Sequence, residues 1–459
     1  MENAIWDYCR KQYRSLLRPL FIQKKIRFVG VADWFIFSLF VLPSYFGIRL
    51  AFFDLTAVRL FEALLLIGIF KNFKRRKDFV ILIKRCSNNL FIILYMCIVI
   101  GTNLIHPSLN TIFYWITNVI LVIYLIAYLL VYEYGIERFL QKIKKCIWLI
   151  VCISPLELFI GKPPFAFLDT LNKSGSSARF GSVRIMGNCS TANGYAMFLM
   201  ICLPLLCYDY KKRCVDLGKN KFLLFFIALN IFLTGSRLTI GTLILAMVLC
   251  MFVQVRQKLK NVLLFLVITL PIFCVLTYFL REISFFENIL RTFFSAVDAI
   301  LGSSYAVQFG ANEQTLYNST YYRELLFKNT ILSDWLSPWI GKGGNYNFAM
   351  YIEGYNIVSV DNFYVGQYIT YAWPGLILWI LMSLSFFISM LKLVVRHKEM
   401  LGYVFMVSFI CYYISLWYLD QLQTYPIMAA VFGMTYGNMI LAHKKGNMKR
   451  GKIVVHQSC

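Results

Sequence analysis

Apolar runs of nearly twenty residues recur along the whole chain, and they leave little choice of fold. An α-helix crosses the roughly 30 Å hydrocarbon core of a bilayer in about 20 residues. Of the 459 residues, 59% are hydrophobic and only 15% are charged, and no polar stretch is long enough to build a soluble core. The pattern is that of an all-α polytopic membrane protein. About twelve spans can be drawn, at 29–49, 52–70, 86–106, 111–133, 146–160, 190–209, 222–235, 237–254, 261–280, 362–395, 402–419 and 424–442.

Charge sets the direction of the spans. A net charge of +24 would suggest nucleic acid for a soluble protein. Here most Lys and Arg fall in alternate connections, KNFKRRK, ERFLQKIKK, KKRCVDLGKNK, RQKLK, RHK and HKKGNMKRGK, and in the N-terminal tail. The positive-inside rule places these connections and both termini in the cytoplasm, with no nucleic-acid partner. The implied organisation is a basic cytoplasmic segment 1–28, nine spans over 29–280, a large ordered extracytoplasmic loop 281–361, three spans over 362–442 and a basic tail 443–459. Residues 1–28 lack the short apolar region of a cleavable signal. Their mixed aromatics and cations suit a membrane-surface segment or a plain basic tail. Most of the thirteen cysteines sit in apolar runs with no CxxC pair, so they read as small apolar residues.

The same parity makes 221–256 a hairpin with Ser236-Arg237 at its outer turn. Its first arm of about 14 residues rises only about 20 Å as a helix, less than the core thickness. Arg237 is therefore expected in a recess below the outer surface, where a charge is costly and marks function. The interval 281–361 is too long to be structureless, and its LRTFFSAVDAIL and TYYRELLFKNTIL stretches have helical periodicity. Within 362–395, Trp373-Pro374-Gly375 predicts a kink or a broken helix.

Four arginines run against the charge trend on the outer side: Arg179, Arg184, Arg237 and Arg323. A guanidinium fork grips phosphate oxygens bidentately. The structural alternative is snorkelling, or ion pairs with Glu324, Asp334 or Asp361. Asp361 lies where the long loop returns to the membrane, and either caps the helix beginning at Phe363 or serves as a general base. Glu324 is a second candidate base. The Gly341–Asn345 stretch reads as a glycine-rich turn, since it lacks P-loop spacing. Arg59 and Glu62, one helical turn apart, can pair, and Glu157 near a span end reads as structural. The four histidines lie away from these motifs and no metal-ligand cluster stands out, so no metal or other cofactor is expected.

In order and spacing these motifs resemble the O-antigen polymerase and ligase superfamily of bacterial envelope glycan assembly, which includes the Wzy-type polymerases. Arg184-Ile-Met-Gly187-Asn188, followed by Asn193 and Ala196, is similar to the arginine–glycine–asparagine motif that opens a family span. Ser236-Arg237 resembles the family's serine–arginine turn. Arg323, then Trp339-Ile-Gly341-Lys-Gly343, resembles its outer-loop arginine and glycine pair. Asp361-Asn362-Phe-Tyr364, then Pro374-Gly375-Leu376, resembles its return motif. The likeness spans residues 180–395. The ligase branch characteristically carries histidine where this chain has Asp361, a departure that favours a polymerase.

The resemblance implies metal-independent glycosyl transfer on the outer face of the bacterial cytoplasmic membrane, joining oligosaccharide repeat units carried on undecaprenyl diphosphate. Asp361, Arg237 and Arg323 are then the catalytic candidates. Arg179 and Arg184, with Arg237 and Arg323, would hold the diphosphate, and Asn193, Asn362, Tyr322 and Tyr364 would contact glycan. A chain-length regulator and a flippase are the implied partners. The alternatives are a ligase passing a finished glycan to another acceptor, or a lipid-linked oligosaccharide flippase. A two-halved solute transporter would need internal repeats and a long central link, and the chain has neither.

Overall fold

Along the helix Phe363–Val395, the exposed residues Ile377, Leu381, Leu384, Ile388, Leu391 and Val395 follow one another at steps of three and four. A second stripe, with Trp379, Phe386, Met390 and Leu393, is fully buried. A helix apolar on both faces is one that packs on protein with one side and on lipid with the other.

A computed structural model of the chain describes residues 28–50, 53–173, 178–179, 182–254, 305–309, 313–352, 355–357, 359–420 and 422–456, with isolated helical positions between 260 and 298. The predicted segment 1–27, most of the predicted span 261–280 and most of 281–312 lie outside the described residues. The helices are α1 (Phe28–Phe40), α2 (Ala57–Phe70), α3 (Phe73–Lys84), α4 (Asn89–Ile105), α5 (Leu109–Tyr114), α6 (Val122–Tyr128), α7 (Gly135–Ile153), α8 (Glu157–Ile160), α9 (Ala192–Leu206), α10 (Lys221–Leu233), α11 (Arg237–Phe252), α12 (Glu313–Thr330), α13 (Phe363–Val395), α14 (Leu401–Leu416) and α15 (Tyr425–His456). Four short antiparallel hairpins complete the described elements.

Among the described residues, three helical runs are long and apolar enough to cross a membrane: Leu109–Ile160, Phe363–Val395 and Leu422–His443. The pair α3 and α4, bent by 87°, makes a fourth if it counts as one span. The apolar helices α1, α9, α11 and α14 are shorter.

Several boundaries differ from the sequence expectation. The first helix stops at Phe40, and residues 47–56 turn through the hairpin β1 (Gly47–Arg49) and β2 (Asp54–Thr56) before α2 begins. The basic connections KNFKRRK and ERFLQKIKK are not loops. The first enters α3, which buries Phe79 and Leu82 and exposes Lys74, Arg76 and Lys77, while Arg75 stacks on Phe28 and pairs with Glu133 (3.5 Å). The second lies in α7, where Phe139, Ile143, Ile147 and Ile150 form the buried stripe. Hydropathy averages away such amphipathic helices, because the polar face cancels the apolar one. Between α5 and α7 the helix loosens into π-type turns at Trp115–Leu121 and Leu129–Tyr134, a feature that often marks functional sites.

Small residues set the closest packing. Gly433 and Gly437 lie four apart on α15, and a Cβ on Gly433 would stand 2.6 Å from the Ile123 carbonyl oxygen of α6. Backbone approach of this kind is how helices associate in lipid. Helices α4, α13, α14 and α15 enclose an aromatic core in which the ring donors are satisfied. Trp115 donates to the Tyr371 hydroxyl (3.0 Å), Trp379 to Tyr425 (2.9 Å) and Tyr95 to Gln367 (2.8 Å). Satisfied polar groups in a dry core fix one arrangement of the helices.

Candidate active site at the loop-bearing end of the bundle

The hairpin expected at 221–256 is present: α10 ends at Leu233, Thr234–Ser236 turn, and α11 begins at Arg237. Gly235 permits the turn with φ +62°. Arg184 is laid against it, its Nε donating to the Thr234 carbonyl (2.5 Å) and its Nη2 to the Asn193 amide oxygen (2.8 Å). Arg184, Asn193 and Arg237 are thus brought together, and both arginines are half-buried.

The loop carrying Arg184 is fixed from beneath. The buried Glu157 carboxylate accepts from the backbone N–H of Met186 (2.8 Å) and Gly187 (3.2 Å). Gly187 has φ +54° and lies so close to Tyr195 that a Cβ would stand 2.5 Å from its ring. The structural reading of Glu157 agrees with this geometry, and its work is to position the arginine loop. Of Arg179 only the backbone is described, in the hairpin β3 (Ala178–Arg179) and β4 (Ser182–Val183).

The long helix α13 is broken as the proline and glycine suggest, at Ala372, with φ +54° and ψ −163°. The break frees backbone groups, and the glycine-rich stretch binds them. Lys342 and Gly343 donate to the carbonyls of Ile369 (2.8 Å) and Thr370 (3.1 Å), and Trp373 donates to Pro338 (3.2 Å). A Cβ on Gly341 would stand 2.2 Å from the Thr370 oxygen, and Gly343 packs on His106. The GKGGN stretch is therefore a packing element that closes the helix break.

At the start of α13, Asn362 is the cap: its side-chain oxygen accepts from Tyr364 (2.9 Å) and Val365 (3.1 Å), and the residue is buried. Asp361 is thereby spared the cap. It is exposed, and its Oδ1 accepts from the Ser359 hydroxyl (3.1 Å). From α12, Tyr322 donates to the Ser359 carbonyl, and burial followed by nearby Asp361 pushes its hydroxyl up to about 12. Arg323, beside it, reaches the Tyr418 carbonyl (3.4 Å), and its guanidinium lies 5.6 Å from that tyrosine's ring centre. Tyr364 donates to the Tyr413 carbonyl (3.0 Å) and packs on Trp379 and Trp417. Glu324, the second candidate base, is exposed and paired with Lys328 (2.8 Å).

The sequence reading passed over Asp420. It lies in the turn before α15, and one carboxylate oxygen is 3.3 Å from where a Cβ on Gly366 would stand. Its surface is open to solvent while protein crowds it from most directions, as at the floor of a recess. That crowding, and then the Asp361 charge, raise its carboxyl to about 7. A signal was available, since Asp420 is the only acidic residue after Glu399.

Gln423 joins the two groups of residues. Its side-chain oxygen accepts from the Ser190 hydroxyl (2.6 Å) and backbone (3.0 Å), and its amide donates to Thr191 (2.9 Å). Thr191 caps α9, which carries Asn193. The start of α9, with Asn193, and the turn that carries Asp420 thus meet along one seam.

Residues 222–380 match a family model described as O-antigen ligase. No curated protein matches the chain. The matched segment, about a third of the chain, holds the serine–arginine turn, Arg323, the docked glycine stretch and the Asp361–Asn362 return, and the match supports the likeness to the O-antigen ligase and polymerase superfamily.

Proposed function

We propose that the chain is a polysaccharide polymerase of the bacterial cytoplasmic membrane, joining undecaprenyl-diphosphate-linked repeat units on the outer face. The observation that carries this reading is the carboxylate pair Asp361 and Asp420, set across a seam from Arg184 and Arg237. Glycosyl transfer from a lipid diphosphate needs those two chemistries. Cations hold the leaving diphosphate, and a base near neutrality takes the acceptor's proton.

The acceptor hydroxyl oxygen attacks the anomeric carbon of the donor chain's reducing-end sugar. The bond from that carbon to phosphate oxygen breaks, and its electron pair leaves with undecaprenyl diphosphate. Asp420, half ionised near pH 7, takes the hydroxyl proton, and Asp361 keeps its carboxylate basic. Arg184 and Arg237 neutralise the departing phosphates, with Arg323 on the loop side. Asn193 positions Arg184, and Tyr322 and Tyr364 line the recess where the sugars would lie. Asn362 serves as a helix cap, and Arg179 is a further cation for the diphosphate. A flippase would supply the substrate, and a chain-length regulator would act on the product.

A second reading, a ligase transferring finished glycan to another acceptor, is favoured by the description of the matched family. One experiment separates the two. The purified protein in lipid receives a single species of undecaprenyl-diphosphate repeat unit, and products are resolved by glycan length. A ladder in repeat-unit steps, lost in Arg237→Ala, is the expected result. Unchanged donor in the absence of a foreign acceptor, with transfer on adding one, would replace the polymerase with the ligase.

A further inference from the structure

A cavity of about 370 Å³ opens beside the seam, between the ends of α1, α2 and α5 and the Leu422–Ile427 stretch. Its volume is within the range of about 300–1,000 Å³ usual for small-ligand sites. Its wall is largely apolar, with the amides and hydroxyls of Asn110, Asn118, Asn188, Ser190, Gln423 and Thr424 set into it, the Lys173–Asp54 ion pair (2.5 Å) at one side and Tyr114 offering an aromatic face. Arg59 also lines it, although only 7% of that residue is exposed.

The expected Arg59–Glu62 ion pair is not formed. Arg59 donates instead to the Asp54 carbonyl (2.6 Å) and the Thr117 hydroxyl (3.0 Å). Neither Glu62 oxygen, both buried, has a hydrogen-bond partner among the described residues. Arg59 is thus a buried cation on the first turn of α2, at the cavity wall, where a polar ligand would share its charge. The cavity adjoins the reacting groups by its own wall. Leu422 follows Asp420 by two residues and accepts from the Tyr114 hydroxyl, and Gln423 is the bridge to Thr191. None of the lining residues falls within 222–380, the segment shared with the O-antigen ligase family.

We propose that this cavity is the subsite for the acceptor's terminal sugar, the one whose hydroxyl is glycosylated. This rests on the polymerase reading for the name of the ligand, since the cavity itself states only a polyhydroxylated ring. A sugar presents many donors and acceptors and an apolar ring face, and amides, hydroxyls and one aromatic match it. The diphosphate belongs with Arg184 and Arg237, so the donor occupies that flank of the seam and the acceptor comes from the other. The cavity lies wholly outside the shared segment, where residues that read a variable sugar are free to differ.

The test is a binding measurement that needs no turnover. The probe is the oligosaccharide released by mild acid from the lipid-linked repeat unit, followed by saturation-transfer NMR on protein in nanodiscs. Asn110 is exposed at the cavity mouth on the first turn of α5, so Asn110→Trp obstructs the mouth without disturbing the core. The expected result is binding to the native protein, weakened at least tenfold by Asn110→Trp at an unchanged unfolding temperature. A second variant, Asn118→Leu, removes an amide from the wall and should weaken binding in the same direction. Equal binding to native and Asn110→Trp protein, or none to either, would overturn the subsite even if a polymer ladder forms. Loss of the Asn110→Trp-sensitive signal on adding acidic phospholipid would make the cavity a headgroup site and also overturn it. Binding that behaves as expected without a ladder would leave the subsite standing and remove the polymerase.

Discussion

If Asp420 is the base, the rate of transfer must follow its ionisation. A carboxyl titrating at about 7 is about 9% ionised at pH 6 and about 91% at pH 8, so the initial rate should climb about tenfold over that interval. Asp420→Asn removes the base and should lower the rate by about 10²–10⁴-fold, with the climb abolished. Asp361→Asn tests the cause. Burial alone would still hold the Asp420 carboxyl up, but without the neighbouring charge the climb should move to lower pH, whatever happens to the maximum rate. The assay is release of undecaprenyl diphosphate from lipid-linked repeat units in nanodiscs, read as initial rates from pH 5 to 9. A native rate flat between pH 6 and 8, or an Asp420→Asn protein that keeps the climb, would refute the argument.

Stability should show the same group with the opposite sign. Its folded-state carboxyl is raised from 3.8 to about 7, so its contribution is full below the ordinary value and is lost as pH rises through 7; Asp420→Asn should flatten that fall in unfolding midpoint. Asn362→Ala removes the cap of α13 and should cost about 0.5–2 kcal/mol in reversible unfolding, whereas Asp361→Ala, which leaves the cap intact, should impair transfer with little change in stability. Gly187→Ala places a methyl against the Tyr195 ring at a positive φ and should destabilise by about 1–3 kcal/mol, measured as a lowered unfolding midpoint in detergent.

The parts of this fold that the sequence disclosed are those governed by local chemistry. The Ser236-Arg237 turn followed from charge parity on either side of two short apolar arms, and the break in α13 followed from Pro374 and Gly375. The amphipathic helices α3 and α7 stayed hidden because a hydropathy average cannot distinguish a mixed loop from a helix with one polar face. In the site, the motif arginines could be named, but what holds them is set by distant residues. Glu157 lies about thirty positions before Gly187, whose N–H it accepts. Asp420 lacked a motif and becomes visible only when α14 and α15 bring its turn beside Asp361. The sequence reading offered Asp361 as the cap, whereas Asn362, the residue directly before Phe363, takes that place.

The boundary of the family match divides the site in an informative way. Arg237, Arg323 and Asp361 lie within 222–380, yet residues outside it are set against this segment. Arg184 is bonded to the Thr234 carbonyl, one turn from Arg237. Arg323 rests on Tyr418, and Asp361 faces Asp420. On the proposed mechanism the shared segment supplies one wall of the active centre, and α9 and the α14–α15 turn supply the other. Transplanting residues 222–380 into this chain from a relative would preserve the motif residues, but would carry activity only if the new turn still presented a carbonyl to Arg184 and the new return motif still set a carboxylate beside Asp420. Matching a motif is thus a weaker requirement than matching its seat, and the residues that form the seat decide whether the motif can work.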